Sequence, residues 1–169
     1  MAGELAHYSP EDVDVLIAGM FEVKGFVDGT FINIEKDEPI FKTKVTADGQ
    51  ATRVAVPNPL YTVRLSLAST SESNQVFTRL ITVDTLTTSA KFPLIIKDRS
   101  GGSVFFSGQS WIEGQASGTF SNGVETRQWT IKCASAVFHV GGNQERDDLT
   151  DNIVNLLIGS SPQLKNFLM

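Results

Sequence analysis

The side chains that most often perform covalent or metal chemistry are scarce in this sequence. It contains one cysteine, Cys133, and two histidines, His7 and His139. Their spacing matches neither a cysteine–histidine nucleophile pair nor a Cys/His zinc site. Cys133 lies among apolar residues of an alternating run, so we expect a small buried core residue and not a nucleophile.

The remaining catalytic motifs and acidic clusters are also weak. The sequence has no Gly-x-Ser-x-Gly elbow, and Gly101-Gly102-Ser103 lacks the Gly-Lys-Ser/Thr that completes a phosphate-binding loop. Glu145-Arg146-Asp147-Asp148 lacks calcium-loop spacing and is typical of an acidic helix start. Asp12 and Asp14 share a face if they lie on a strand, but two carboxylates alone do not indicate a metal site. We therefore expect no enzymatic activity, no metal and no cofactor.

Length and charge narrow the classes of protein. A chain of 169 residues fits one domain that buries roughly two thirds of its unfolded surface. The formal net charge of −5 argues against a nucleic-acid binder, which normally carries a basic excess. A single cysteine excludes an internal disulfide. No signal-peptide pattern and no apolar run of about 20 residues is present, so a cytoplasmic origin is expected.

Short alternating segments separated by turn signals predict a mainly β protein. Asp28-Gly29, Asp48-Gly49 and Asn122-Gly123 are typical of two-residue hairpin turns, and Gly101-Gly102 is a weaker fourth signal. Eight to ten strands joined as antiparallel hairpins indicate a barrel or a sandwich. The runs predicted as strands, of which the last two overlap, are Val13–Met20, Phe21–Val27, Thr30–Glu35, Ile40–Ala47, Gln50–Val56, Tyr61–Ala68, Phe92–Lys97, Ser103–Trp111, Ser117–Ser121, Val124–Ile131 and Thr130–Val140.

Two segments show helical spacing instead. In Ser71–Thr87 the apolar residues recur every three to four positions, and Ser71 or Ser73 offers an N-cap. Asn143–Ile158 predicts a second helix with acidic first turns, and Gly159 follows its end. The stripe of that helix consists of Leu149, Ile153, Leu156 and Leu157. Residues Ser160–Met169 are predicted to form a mobile or docking tail.

A two-residue turn at Asp28-Gly29 fixes the faces of the first predicted hairpin. One face is apolar, and the other is polar and somewhat acidic. In this register Glu22 and Glu35 lie opposite each other, which like-charge repulsion disfavours in an isolated hairpin. The polar face contains Glu22, Lys24, Phe26, Phe31, Asn33 and Glu35.

The same reasoning gives the Asp48-Gly49 hairpin one apolar and one basic face. Phe41, Thr43, Val45, Thr52, Val54 and Val56 share the apolar face, whereas Lys42, Lys44, Thr46, Ala51, Arg53 and Ala55 share the basic one. Lys44 then faces Arg53, at a cost of about a few tenths of a kcal/mol. We hypothesise that the hairpin projects and docks on an acidic patch of a neighbouring subunit. The alternative is an ordinary amphipathic hairpin with a solvated basic face.

The order and spacing of several stretches resemble the tail-tube protein of contractile-tailed bacteriophages. The resemblance covers residues 8–158, although no single motif is as specific as a zinc or phosphate-loop signature. The matching stretches are Tyr8-Ser9-Pro10-Glu11-Asp12-Val13, Ile17-Ala18-Gly19, Val23-Lys24-Gly25-Phe26, Phe31-Ile32-Asn33-Ile34-Glu35 with Asp37, the hairpin around Asp48-Gly49 with Asn58-Pro59, Pro93-Leu94-Ile95-Ile96-Lys97-Asp98, and Trp129-Thr130-Ile131 through Val140-Gly141-Gly142.

The resemblance implies a fold and an assembly. Such proteins, similar to type VI secretion tubes, have two packed antiparallel sheets in a β-barrel-like arrangement with a flanking helix, here with a further C-terminal helix. Six subunits form a ring, and the rings stack into a hollow virion tail tube, assembled in the bacterial host cytoplasm, through which phage DNA passes without specific binding. The implied partners are further copies of the chain, the tail sheath protein, the baseplate hub, the tail terminator and the tape-measure protein.

The resemblance also assigns candidate surfaces within a single tail-tube domain over residues 1–169. The projecting hairpin 40–56 would contact the next ring or subunit through Lys42, Lys44, Asp48, Gly49 and Arg53. The lumen is generally acidic in such tubes, which makes Glu22, Lys24, Asn33 and Glu35 the candidate lumen wall. Lys24 departs from a purely acidic lining.

Two other classes of protein remain open. A β-sandwich module of a phage fibre or adhesin would bind carbohydrate or protein and would expose an aromatic patch. A tail terminator or a secretion-system tube would share the fold but not the position in the assembly. Electron microscopy of the concentrated protein would separate rings and tubes from a discrete monomer or trimer.

Overall fold

Alternating apolar residues build most of the molecule into one large antiparallel sheet. The computed structural model describes residues 8–142. A short 3₁₀ turn, Pro10–Asp12, precedes the first strand, and one helix, α1 (Ser73–Thr87), lies between the sixth and seventh. The strands are β1 (Val13–Ile17), β2 (Phe21–Glu22), β3 (Ile32–Lys36), β4 (Phe41–Val45), β5 (Ala51–Ala55), β6 (Tyr61–Ala68), β7 (Phe92–Asp98), β8 (Val104–Gly114) and β9 (Thr126–His139).

Seven strands form the large sheet, and the other two form a separate hairpin. The order in the large sheet is β2-β1-β7-β8-β9-β6-β3, with every neighbouring pair antiparallel, and within residues 8–142 β4 pairs only with β5. The mainly β class, the two antiparallel sheets and the flanking helix are therefore confirmed. The smaller sheet is the hairpin at Asp48-Gly49.

The large sheet turns back on itself at one corner without closing into a barrel. The segment after β2 bonds to β1 and to β6, each of which is second from an end of the strand order: Val23 donates its amide to the Val15 carbonyl (2.8 Å), and Ala68 donates to the Gly25 carbonyl (2.8 Å). Gly25 has a φ of +78°, and an added Cβ would lie 2.7 Å from the Ser71 Cβ. Only glycine combines that dihedral with that close approach at low cost.

The inward faces of the strands and one side of α1 form a single apolar core. Its fully buried members include Val15, Leu65, Leu94, Phe105 and Ile131. Cys133 is also completely buried, so its expected place in the core is confirmed.

Helix α1 covers one end of this core through an aromatic contact and a polar one. The ring of Phe77 lies 5.3 Å from that of Trp129, and the Trp129 indole N–H donates to Asn74 Oδ1 at 2.9 Å. The second half of α1 is open, with Leu86 79% exposed. The predicted helix is confirmed from Ser73 onward, but its N-cap is Glu72 and not Ser71 or Ser73. Ser71 accepts the Ser73 amide at 3.2 Å and so supports the first turn from outside it.

The pairing between β8 and β9 skips Gly108 and Ser135 near the middle of the strands, without a change of register; the register shifts only between Ile112 and Gly114. Ser135 has a φ of +53°, and the register between the strands is carried past this point by Ser107, whose hydroxyl donates to the Ala134 carbonyl at 2.9 Å. The Ser110 hydroxyl lies 3.3 Å from the Cys133 sulfur. Because buried polar groups need partners, these bonds make the small polar cluster compatible with the core.

Two predicted hairpins are wrong. Asp28-Gly29 does not join β2 to β3, since β2 pairs with β1 and β3 pairs with β6. Asn122-Gly123 lies in a loop over residues 115–125, with no strand over Ser117–Ser121. At Asp28-Gly29 the two flanking strands pair with other strands, β2 with β1 and β3 with β6. Asn122-Gly123 lies in the longer loop between β8 and β9, which pair with each other. The hairpin over Gly101-Gly102 between β7 and β8 is confirmed.

A smaller correction concerns Asp12 and Asp14. Asp12 ends the 3₁₀ turn, so the two carboxylates do not share a strand face, and Asp14 forms an ion pair with Arg99 at 3.0 Å. Other predictions fall outside the described residues, namely His7, the acidic run Glu145-Arg146-Asp147-Asp148, the helix Asn143–Ile158 and the tail Ser160–Met169. The extent of one domain over residues 1–169 stays a prediction.

Candidate assembly surfaces

The hairpin β4–β5 turns through three residues and not two. Thr46 donates its amide to the Gln50 carbonyl, and Gly49 donates to the Thr46 carbonyl, both at 2.9 Å. Gly49 has a φ of +86°, as expected where a type I turn is followed by a left-handed residue. Asp48 accepts a hydrogen bond from the Thr46 hydroxyl, which, with backbone N–H groups, lowers the pKa of this carboxyl.

This turn shifts the register by one residue and reassigns the faces of the hairpin. Lys44 lies opposite Thr52, and Arg53 lies opposite Thr43. The predicted contact between Lys44 and Arg53 is therefore wrong, because the third loop residue moves β5 along β4. One face carries Phe41, Thr43, Val45, Ala51, Arg53 and Ala55, whereas Lys42, Lys44, Thr52 and Val54 lie on the other.

The hairpin stands outside the core with apolar side chains on its surface. Every residue of β4 and β5 is exposed, including Val45 at 67% and Phe41 at 46%. The Arg53 guanidinium lies 4.2 Å from the centre of the Phe41 ring, and Lys42 pairs with Glu38 at 3.5 Å. Within residues 8–142 Lys44 makes no ion pair. This surface is both apolar and basic.

The root of the hairpin is fixed to the large sheet by a half-buried polar cluster. Lys132 Nζ lies 2.5 Å from Asp37 Oδ2 and donates to the Thr62 hydroxyl at 2.7 Å, and Thr62 in turn donates to Asp37 Oδ1 at 2.5 Å. The Lys132 and Asp37 side chains are only 17% and 19% exposed. The hydrogen bond from Lys132, followed by that from Thr62, lowers the pKa of Asp37.

Further hydrogen bonds fix the segment that leads from the hairpin to β6. Asp37 donates its amide to the Leu60 carbonyl at 3.1 Å, and Lys36 Nζ donates to the Asn58 carbonyl at 2.9 Å. The Asn58 side chain accepts the Leu60 amide at 3.0 Å. The hairpin is therefore exposed along its strands but held at its base.

The four candidate lumen residues are exposed but lie at opposite ends of the large sheet. Glu22 lies on β2 and pairs with Lys24 at 3.1 Å, whereas Asn33 and Glu35 lie on β3, where Glu35 pairs with Arg64 at 3.1 Å. The expected shared hairpin face and the contact of Glu22 with Glu35 are wrong, because β2 and β3 do not pair.

The strand registers place a group of polar residues on the outward face of the large sheet, which the predicted hairpins did not indicate. On the outward face, Glu35, Thr62, Lys132 and Trp111 lie in one row across β3, β6, β9 and β8, and Asn33, Arg64 and Thr130 lie in the next. Glu113 lies 3.9 Å from Lys132. In the sequence, this polar surface is indicated by the alternation of Thr62, Arg64 and Ser66. The sequence does not show that these residues lie beside β9, because that follows only from the strand pairing.

The other half of the outward face is apolar. Leu16, Ile95, Phe106 and Val137 form a continuous row across β1, β7, β8 and β9, with Glu22 beside Leu16 at its edge. Phe106 is 43% exposed. The outward face therefore combines a polar half and an apolar half.

The loop over residues 115–125 presents a further exposed aromatic ring. Phe120 is 89% exposed, and the guanidinium of Arg127 lies 5.2 Å from its centre. Arg127 also donates to the Ser117 and Thr119 carbonyls at 2.9 and 2.7 Å. The loop is thereby held by a charged residue of β9.

The described residues assemble no catalytic constellation. Burial raises the pKa of the Cys133 thiol, so its nucleophilic form is disfavoured. His139 is exposed at the end of β9, away from the buried thiol. No group of three potential metal-ligating side chains occurs within residues 8–142, and no helix of that part is long and apolar enough to cross a membrane.

Comparison with known proteins gives one relative in sequence and several in fold. No family profile matches the chain. Structural protein ORF10 of Pseudomonas phage KPP10 is 35% identical over 164 residues, which cover 93% of this chain and 95% of that protein.

The structural neighbours show the fold alone, since their sequences are only 12–14% identical. The tube-terminating cap of the anti-feeding prophage has a TM-score of 0.54 and covers 83% of this chain and 99% of its own. A chain of the sheath/tube terminator of the PVC extracellular contractile injection system has a TM-score of 0.56, covering 79% and 97%. A chain of the sheath–tube complex of that system has a TM-score of 0.54, covering 78% and 90%.

Proposed function

We propose, from the premise that the chain belongs to the family of phage structural proteins that includes ORF10 of Pseudomonas phage KPP10, that it forms the inner tube of a contractile tail. Six subunits close into a ring, and the rings stack into a hollow conduit for the genome. The protein acts by self-assembly and performs no catalysis.

The hairpin β4–β5 is the observation that carries this proposal. A two-stranded hairpin is at best marginally stable alone, and this one exposes Phe41 and Val45 outside the core. Exposed apolar surface beside charged residues marks a site for protein contact. A neighbouring subunit would cover the apolar side chains and supply carboxylates to Lys42, Lys44 and Arg53, while Asp48 and Gly49 fix the turn that presents them.

The outward face of the large sheet supplies the lumen wall. Its polar half contains the carboxylates of Glu35, Asp37 and Glu113, which outnumber the cations of Arg64 and Lys132. A wall with a carboxylate excess repels phosphates, so DNA can move past it without being retained.

Joining sheets across subunits would also explain the separation of the four candidate lumen residues. Glu22 and Lys24 lie at the β2 end of the sheet and Asn33 and Glu35 at the β3 end. In a ring, the β2 end of one protomer would adjoin the β3 end of the next and place all four on one inner surface. Closure would also remove the exposed strand edges, which otherwise favour aggregation.

The comparisons support the assignment of the chain as a structural protein of a contractile tail, and they suggest its partners. The neighbours in fold are chains of a tube-terminating cap, a sheath/tube terminator and a sheath–tube complex of contractile systems. We accordingly propose that the tail sheath protein, the baseplate hub, the terminator and the tape-measure protein contact the tube, and that the protein resides in the virion tail after assembly in the host cytoplasm.

Electron microscopy of the full chain at high concentration tests the proposal. The wild-type protein should form hollow tubes or six-fold rings. Phe41→Ser with Val45→Ser should reduce stacking at least tenfold, whereas the matched change of two exposed apolar residues of α1, Val83→Ser with Leu86→Ser, should leave it intact. Loss of assembly in both variants, or in neither, would contradict the role of the hairpin.

A second pair of variants tests the charges. Lys44→Glu with Arg53→Glu should weaken stacking, and Arg79→Glu with Lys91→Glu should not, although both pairs change the net charge equally. Rings that never stack in the wild-type protein would indicate a terminator. A persistent monomer that a carbohydrate or protein ligand stabilises would indicate a binding module.

A further inference from the structure

An open apolar groove lies at the end of the core that α1 does not cover. It has a volume of about 380 Å³ and is lined by Val13, Ile32, Ile34, Ile96, Phe105 and Phe138. Val13, Ile32, Ile34 and Phe138 are only partly buried, although they pack against the core. At the opposite end, Phe77 of α1 packs on Trp129 and closes the core.

The chain leaves the described part of the molecule at the rim of this groove. Ser103, which lines the groove, donates its hydroxyl to the Gly141 carbonyl at 3.2 Å and accepts the Gly141 amide at 3.1 Å. Gly102 donates its amide to the Gly142 carbonyl at 3.2 Å. A Cβ on Gly141 would lie 2.6 Å from the Gly102 carbonyl carbon, so glycine permits this close crossing. The described part of the chain therefore ends beside the groove, at Gly142.

We propose that residues 143–158 of the same chain cover the groove as the second helix of the fold. Their sequence predicts an amphipathic helix with Leu149, Ile153, Leu156 and Leu157 on one stripe. Sixteen helical residues span about 24 Å, enough to cross several strands at 4.7–4.9 Å spacing. The proposal concerns the folding of one subunit and does not depend on tube assembly.

The N-terminal segment is the weaker occupant. Tyr8, the first residue that the structure describes, also lines the groove. Residues 1–7 contain only Met1 and Leu5 as large apolar side chains, whereas the stripe of residues 143–158 supplies four. The longer apolar stripe therefore matches the apolar lining better.

A double-mutant cycle in the full chain tests the contact. Leu156→Ala should raise the unfolding equilibrium constant at least tenfold, and combining it with Ile34→Ala should give an effect at least threefold smaller than the product of the single effects, because contacting residues are not independent. The matched cycle of Ile34→Ala with Asn155→Ala, on the opposite side of the predicted helix, should be multiplicative. Equal behaviour of the two cycles would overturn the proposal.

Cross-linking gives a second readout that tolerates a loss of stability. Thr30 is exposed at the groove, and the native Cys133 is buried. Thr30→Cys with Leu156→Cys should oxidise to an intramolecular disulfide, at least fivefold faster than Thr30→Cys with Asn155→Cys. Disulfide-linked dimers at low protein concentration would show that the segment fills the groove of a second copy. Equal rates for the two pairs would also contradict an intramolecular cover.

Discussion

The large sheet and the hairpin β4–β5 have similar local sequences and opposite surroundings. Both consist of alternating antiparallel strands with Phe, Val and Thr, yet Phe105 is completely buried while Phe41 is 46% exposed. β6, β7 and β9 each pair with two neighbours, whereas β4 and β5, in the part of the chain that the structure describes, pair only with each other.

The difference teaches that the strand pattern alone does not distinguish a core from an interface. In the sheet, the apolar residues are satisfied within the subunit, so their removal should lower the free energy of unfolding. In the hairpin, the same residue types lie outside the core formed by residues 8–142, so their removal should change association instead. Stability and assembly should therefore respond to different halves of the molecule.

Matched phenylalanine substitutions in the large sheet and in the hairpin test whether stability and assembly depend on different parts of the molecule. Phe105→Ala removes a buried ring and should lower the free energy of unfolding by about 3–5 kcal/mol. Phe41→Ala should lower it by less than about 0.5 kcal/mol, because its ring is on the surface, yet should impair stacking. Urea denaturation measures the first effect, and sedimentation of assembled material measures the second. Comparable losses of stability would show that the hairpin belongs to the core.

Substitutions at two glycines compare a position that is packed against a side chain with one that is open. Gly25 and Gly29 both have positive φ, at +78° and +84°, but only Gly25 lies against another side chain, that of Ser71. Gly29→Ala should cost about 1–2 kcal/mol for the left-handed backbone. Gly25→Ala adds the steric clash and should cost about 2–4 kcal/mol. Thermal unfolding of the two variants measures the difference, and equal costs would refute the close packing at the corner of the sheet.

The sequence was informative where residues act locally. The run Tyr61–Ala68 matches β6 because its large apolar residues alternate with polar ones along a strand that lies between two neighbours. Helical spacing predicted α1, and the apolar context of Cys133 predicted its burial.

The strand partner of β3 and the polar cluster could not be predicted from the sequence, because they depend on pairing between strands that are distant in the chain. Asp28-Gly29 and Asp48-Gly49 are chemically equivalent turn signals, but the strand after the first pairs with β6, which is distant in sequence. Likewise, the cluster of Asp37, Thr62 and Lys132 forms only because β3, β6 and β9 are adjacent. One added loop residue at Asp48-Gly49 was enough to exchange the faces of the hairpin.

The root of the hairpin is where the two regions meet, and its lysine can be tested against an exposed one. Lys132→Met removes the partner of half-buried Asp37 and should lower the free energy of unfolding by about 1–2 kcal/mol. Lys42→Met breaks only the exposed pair with Glu38 and should cost less than about 0.5 kcal/mol. Hydrogen exchange should also rise at the amides of Asp37 and Leu60 in Lys132→Met alone. Unchanged exchange there would show that the cluster does not hold the root.

The smallest effects are expected in the titration of two aspartates, one at the root and one at the tip. The pKa of Asp37 is lowered chiefly by Lys132, and that of Asp48 chiefly by the Thr46 hydroxyl. Carboxyl NMR titration should show both midpoints below the ordinary value of about 3.9. Lys132→Met should raise only the Asp37 midpoint, and Thr46→Ala only that of Asp48.

The sign of the linked stability change follows from the lowered pKa of Asp37. Its contribution is complete above the unfolded value, near pH 4, and is lost as the pH falls through the lower folded value. The difference in stability between wild type and Asp37→Asn should therefore be constant from pH 7 to about pH 5 and shrink below pH 4. A difference that shrinks between pH 7 and pH 5 would mean that another group controls the root, since a carboxyl with a lowered pKa stays ionised throughout that range.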